Sequence, residues 1–141
     1  MRPLFMSILM LTAGCLAISP SFTLAANKIS PQKIDGAVTI DAQQAKELFD
    51  KGVVFVDVRK EKSFAAGRIP DAFHINLTDR FNKRTLESVI NKDQAFVIYC
   101  DGHNCLRSAH ATKKAIDWGY QNIYYFRDGL PSWRSSGYPI E

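Results

Sequence analysis

Two short runs constrain this chain more than anything else in it: "VVFVDV" at 53 to 58 and "AFVIYC" at 95 to 100. Each is of strand length and apolar at nearly every position, where a strand with one wet face would alternate. Such runs are strands buried on both faces, which happens in parallel sheets covered by helices above and below. The segments between them supply those helices. Asp41 can cap a helix over "AQQAKELFDKG", with Ala45, Leu48 and Phe49 on one face and Gly52 at its end. A second helix, "SAHATKKAIDWGY", is closed by Gly119. "VTI" at 38 to 40, a segment near His74 to Leu77 and "NIYYF" read as further strands. A polar helix over Arg80 to Ile90 and a short one around Trp133 complete the pattern, with a loop carrying Gly67 and Pro70. The predicted fold is α/β, three layers, with a mostly parallel sheet of about five strands flanked by helices.

At 141 residues, with 46% hydrophobic content, the chain has material for one core. The first 26 residues differ from the rest. Arg2 precedes an apolar run from Leu4 to Leu11, small residues close the segment at "FTLAAN", and no acid occurs. This is the pattern of a secretory signal cleaved after Ala25 or Ala26, and it implies the periplasm. Spanning a bilayer takes roughly 20 uninterrupted apolar residues, and Gly14, Ser19, Pro20 and Ser21 interrupt this run. "LTAGC" leaves lipid attachment at Cys15 as a lesser alternative, with Thr12 where a larger aliphatic residue is usual. Residues 27 to 37 read as a linker and 38 to 141 as the domain. Net charge is +4 for the whole chain, too mild and too evenly spread to indicate nucleic acid.

The chemistry concentrates in "CDGHNCLRS", where the second apolar strand runs into a loop. In doubly covered parallel sheets, ligands bind beyond the carboxyl ends of the strands. Cys100 stands at such an end, and a helix begins near Ser108. The residues between, Asp101, Gly102, His103, Asn104, Cys105, Leu106 and Arg107, can curl their amides inward, with Gly102 allowing the tight approach. A thiolate in that cradle is expected to have a lowered pKa and to act as a nucleophile able to carry a persulfide. Arg107 is the candidate cation for an anionic donor. Asp101, beside the nucleophile, would repel dianionic thiosulfate.

These residues are ordered as in a known family. From about Ile34 onward the chain resembles a single-domain rhodanese, a sulfurtransferase that carries sulfur as a cysteine persulfide. The resemblance rests on "VVFVDVRKEKSFAAGRIPDAFHINL", on "VIYC" with its loop and "RSAHATKKAIDWGY", and on "NIYYFRDGLPSWRSSGYPI". As an exported protein it resembles the periplasmic phage-shock type. The resemblance implies that Cys100 accepts sulfur from thiosulfate or a persulfide and passes it to a thiol or cyanide, with no cofactor or metal. Arg107 would assist catalysis, and Asp101 to Leu106 would cradle the substrate. Asp57 and Arg59 match the family's Asp-Val-Arg, with a structural role expected for both; Arg59 is also a candidate substrate contact.

One departure stands out. The usual loop places five residues between the cysteine and the serine, and here seven separate Cys100 from Ser108. The longer loop contains Cys105, giving a C-x4-C pattern similar to rhodanese-like proteins fused to regulators or exported beside quinoprotein alcohol dehydrogenases. Cys105 admits three readings: a resolving thiol that releases sulfide from the Cys100 persulfide, a structural disulfide partner, or a metal ligand with Cys100 and His103. His103 reads as a solvent-facing residue before a general base. Expected partners are a small sulfur donor, a thiol acceptor, and a thioredoxin-like reductant or exported protein, acting on a monomer. The rival functions are a dithiol redox protein and a catalytically silent binding module.

Overall fold

The computed structural model of the chain describes residues 28 to 141. The leader read over residues 1 to 26, and Cys15 within it, lie outside the described residues. Five strands, β1 (Ala37–Thr39), β2 (Val54–Asp57), β3 (Phe73–His74), β4 (Phe96–Tyr99) and β5 (Ile123–Phe126), form one sheet in the order β1-β5-β4-β2-β3. Every pairing is parallel. Helices α1 (Ala42–Asp50), α2 (Glu61–Ala65), α3 (Lys83–Glu87), α4 (Arg107–Asp117) and α5 (Gly129–Ser135) connect and follow the strands.

The central strand shows why its sequence is apolar throughout. Phe96 and Ile98 of β4 enter one core with Val56, Leu86, Ala111 and Ala115. Val97 and Tyr99 enter the opposite core with Phe55, Ala45, Leu130 and Trp133. Successive side chains of a strand point to opposite faces, so a strand covered on both sides has no polar position to spare. The three-layer arrangement expected from the apolar runs is the one observed.

Local signals account for the helices that the sequence reveals. Asp41 accepts from the Gln44 amide at 2.8 Å while Gln44 Oε1 accepts from the Asp41 amide at 3.0 Å, a reciprocal cap for α1. Asn82 caps α3 through the Thr85 amide at 2.9 Å. The helix expected over Arg80 to Ile90 is thus a single turn, Lys83–Glu87, that buries only Leu86. Helix α2 lies where a loop was expected, a five-residue element with no side-chain cap and no buried residue to announce it.

Two packing features position the site. Trp133 is fully buried, meets Phe49, Phe55 and Tyr138 edge to face, and donates through Nε1 to the Pro139 carbonyl at 2.7 Å. It anchors α5 beneath the sheet's carboxyl end. The segment before β1, read as linker, packs on the domain. The Ser30 amide and hydroxyl donate to the His103 carbonyl at 2.7 and 2.8 Å, Tyr125 donates to the Pro31 carbonyl, and Ile34 is buried. Residues 30 to 34 therefore strap the loop that follows β4.

Candidate active site

Cys100 directly follows β4, the middle strand of the sheet, and the loop returns to α4 at Arg107. Gly102, buried with φ +104°, makes the sharp reversal that the sequence assigns to it, and its carbonyl accepts from the Cys105 amide at 2.9 Å. This turn carries Cys105 back over Cys100. Both cysteines are unbridged thiols; Cys100 is fully buried and Cys105 partly exposed.

The two sulfurs have different surroundings. At Cys100 one main-chain amide arrives, that of Ser108, 3.4 Å from Sγ, and the Ser108 Oγ lies at 3.1 Å. The Cys100 thiol in turn faces the Cys105 carbonyl at 3.4 Å. Apolar side chains enclose the rest, since Cys100 belongs to the core formed by Val58, Ile98 and Ala111. The thiol is pushed well above the usual thiol range, first by its hydrogen bond to Cys105, then by burial and by the Cys105 charge. The Cys105 thiol is pushed down to about 6, first by its interaction with the Cys100 side chain and then by the neighbouring Asp101 and Arg107 backbone, against an opposing push from burial. Neighbouring thiolates repel, so ionisation of one thiol opposes ionisation of the other.

Of the amides expected to converge on Cys100, that of Ser108, in the first turn of α4, lies within hydrogen-bond distance of its sulfur. Cys105 is the thiol nearer solvent.

Both arginines are engaged by the fold, and neither lines the cleft beside the loop. Arg59 is 3% exposed. Its Nε and Nη2 bind the buried Asp57 carboxylate at 2.7 to 3.0 Å, Nη2 also reaches the Gly67 carbonyl at 2.7 Å, and Nη1 meets Asp101 at 3.1 Å. The residue holds Asp101 in the loop from behind, which fits the structural role expected of it. Arg107, expected to steer an anionic donor, donates through Nε to the Val58 carbonyl at 2.7 Å, through Nη1 to Thr78 Oγ1 at 3.2 Å, and through Nη2 to Asn76. It ties α4 to the chain after β2 and β3.

An open cleft of about 560 Å³ lies beside the loop, lined by Asp101, Gly102, His103 and Asn104 on one side and Asp128, Pro131, Ser132 and Ser135 on the other. His103 and Asn104 are exposed, and Leu106 is half-buried just before α4. Among the described residues no group of three His, Cys, Asp or Glu is placed to hold a metal ion. Two contributors to the site were not among the residues expected there. Gly129 presses its backbone against the Cys100 carbonyl, which accepts from the Leu130 amide at 3.0 Å, and Ser30 holds the His103 carbonyl.

The family model for the rhodanese-like domain matches residues 41 to 136. The chain belongs to the rhodanese-like domain family. A thiosulfate sulfurtransferase GlpE of Pseudomonas savastanoi is 30% identical to it over 102 residues, covering 72% of this chain and 91% of that protein. A helix-turn-helix transcriptional regulator of Mycobacterium tuberculosis is 34% identical over 92 residues, which span 63% of this chain and only 38% of the regulator. Among solved structures, a protein of unknown function from Rhodopseudomonas palustris superposes with a TM-score of 0.64 at 30% identity, covering 79% of this chain and 98% of that one. A Bacillus halodurans protein superposes at 0.67 with 23% identity, over 74% of this chain and 77% of its own, a likeness of fold. This rhodanese-like domain therefore has the family's α/β architecture and relatives named for sulfur transfer.

Proposed function

We propose that this rhodanese-like domain is a sulfurtransferase that moves sulfane sulfur from a donor to a thiol or cyanide acceptor through a persulfide formed in the Cys100–Cys105 loop. The observation that carries this reading is the placement of two unbridged thiols, Cys100 directly after the central strand with the Ser108 amide on its sulfur and Cys105 partly exposed in the same loop. A thiolate is the form of cysteine that attacks sulfur. The donor preference follows from charge. Asp101 and Asp128 line the cleft, with Asp101 paired to Arg59 from behind and Arg107 bound to Val58 and Asn76, so the cleft offers no excess of positive charge and a singly charged persulfide is favoured over dianionic thiosulfate.

The leader read over residues 1 to 26 supports export to the periplasm, and the C-x4-C spacing supports placement in the subset with a second loop cysteine. In an oxidising compartment the two thiols would need a thioredoxin-like reductant. Two unbridged thiols in one loop, with the Cys100 thiol on the Cys105 carbonyl, also favour, as a second reading, a dithiol protein that cycles between thiols and disulfide without carrying sulfur.

The test is a sulfur-transfer assay on the reduced protein, with cysteine persulfide or thiosulfate as donor and cyanide as acceptor. Thiocyanate is expected to form from both, faster from the persulfide by roughly tenfold, the lower end of typical electrostatic effects on encounter. Thiol oxidation with no thiocyanate above the protein-free background would favour the redox reading and reject the transfer.

A further inference from the structure

The loop between Cys100 and Ser108 is held at its middle by the segment that precedes β1. Ser30, 1% exposed, donates to the His103 carbonyl twice, through its amide at 2.7 Å and its hydroxyl at 2.8 Å. Its own carbonyl is gripped by Arg127, through Nε at 3.1 Å and Nη2 at 3.0 Å. Tyr125 on the Pro31 carbonyl at 3.2 Å and Thr39 on the Gln32 carbonyl at 2.8 Å fasten the same segment to β5 and β1. Arg127 directly follows β5, and a little further on the Leu130 amide donates to the Cys100 carbonyl at 3.0 Å. One short stretch after β5 thus sets the loop at its start through Leu130 and at its middle through Ser30.

Building on the sulfur-transfer reading, we infer that Ser30 is a positioning residue for the transfer, with Arg127 as its anchor. Seven residues separate Cys100 from Ser108, and each residue added to a loop brings backbone freedom that must be frozen before reaction. A peptide is planar and trans, so its carbonyl and the following N–H point opposite ways. Holding the His103 carbonyl therefore also fixes the direction of the amide of Asn104, a residue that lines the cleft. Immediately after it, Cys105 turns back, its amide on the Gly102 carbonyl at 2.9 Å and its carbonyl facing the Cys100 thiol at 3.4 Å. Loosening His103 shifts the carbonyl that meets the reacting sulfur, and a displacement of about 1 Å near a reacting group costs up to roughly 100-fold in rate.

Neither Ser30 nor Arg127 lines the cleft, so donor binding is left intact and the effect falls on the transfer step. Ser30→Ala keeps the amide bond to His103 and loses the hydroxyl one, whereas Arg127→Met releases the Ser30 carbonyl and loosens both donors. The two residues act in series, so their effects do not add.

The experiment measures kcat and donor KM for thiocyanate formation from cysteine persulfide and cyanide. It compares reduced wild type, Ser30→Ala, Ser30→Thr, Arg127→Met and the Ser30→Ala, Arg127→Met double variant, each at a temperature where thermal unfolding shows it folded. Hydrogen exchange at the Cys105 amide is followed on the same samples. Ser30→Ala is expected to lower kcat roughly fivefold, the scale of one buried hydrogen bond, and Arg127→Met roughly tenfold, with KM within about twofold of wild type. Ser30→Thr, which keeps the hydroxyl, should restore most of kcat. The double variant should be no slower than Arg127→Met, and Cys105 exchange should quicken as kcat falls. Wild-type kcat in Ser30→Ala and Arg127→Met, with or without a lower melting temperature or a raised KM, overturns the inference and leaves sulfur transfer standing. If Arg127→Met does not fold, the comparison of Ser30→Ala with Ser30→Thr decides. No thiocyanate from wild type above the protein-free background rejects the transfer reading and this inference with it.

Discussion

Replacing Arg59 with methionine is expected to lower the stability of the domain by about 3–5 kcal/mol, the cost of leaving a buried charge without its partner. Asp57 is fully buried and its carboxylate accepts three side-chain hydrogen bonds from Arg59. It also faces the buried Tyr99 hydroxyl, whose ionisation is driven up by burial and by the Asp57 charge. Removing the guanidinium leaves Asp57 ionised in an apolar surround or forces it to take a proton. The change also frees the Gly67 carbonyl and Asp101, although Asp101 is half exposed and its loss counts for little. For a domain of this size the melting temperature should fall by roughly 10–25 °C, measured by thermal unfolding. Adding Asp57→Asn to Arg59→Met should recover part of that loss, because the double change removes the stranded charge. An Arg59→Met protein that melts within a few degrees of wild type would show that Asp57 has another partner.

The second large effect is expected at Gly129. Its φ is +58°, and a Cβ there would stand 2.2 Å from the Cys100 carbonyl oxygen and 2.9 Å from the Gly102 nitrogen. These neighbours are backbone, so no flexible side-chain tip can yield. Gly129→Ala must push α5 off the loop or distort the loop itself, at a cost of about 3 kcal/mol from the left-handed conformation and the overlap together. The Leu130 amide would lose its bond to the Cys100 carbonyl. The functional consequence is separable from the stability loss: at temperatures where the variant is folded, Cys100 should become accessible to alkylation in the native protein. A Gly129→Ala variant with wild-type melting and a protected Cys100 would mean that α5 does not clamp the loop.

The parts of this molecule that were legible in sequence are those where one local signal had one structural cause. Continuous apolar runs can be satisfied only by burial on both faces, so "VVFVDV" and "AFVIYC" revealed the covered parallel sheet and, with it, the end of the sheet where Cys100 stands. Gly102 was legible for the same reason, as a left-handed turn needs glycine. What stayed hidden depended on partners far along the chain. The guanidinium of Arg107 is occupied by Asn76, Thr78 and Val58, 29 to 49 residues away, and nothing local distinguishes it from a free cation. Which amide reaches the Cys100 sulfur turns on where α4 begins. With α4 starting at Arg107 the Ser108 amide is the one that reaches Cys100, and helix ends shift by a residue or two with no change in pattern. Helix α2 is too short and too exposed to leave a periodic trace.

The ionisation of the two thiols is tested most directly by alkylation across a pH series on the native, reduced protein, resolved by site. Because the Cys105 pKa is lowered to about 6, its thiolate fraction should rise through that pH as acid is withdrawn and be nearly complete by neutrality, where an ordinary thiol with a pKa near 8.5 is still mostly protonated. Cys100, shifted the opposite way, should react only after unfolding. The account predicts a midpoint near 6 at Cys105 with Cys100 unmodified throughout. Modification of Cys100 ahead of Cys105, or a Cys105 midpoint at the ordinary thiol value, would contradict it.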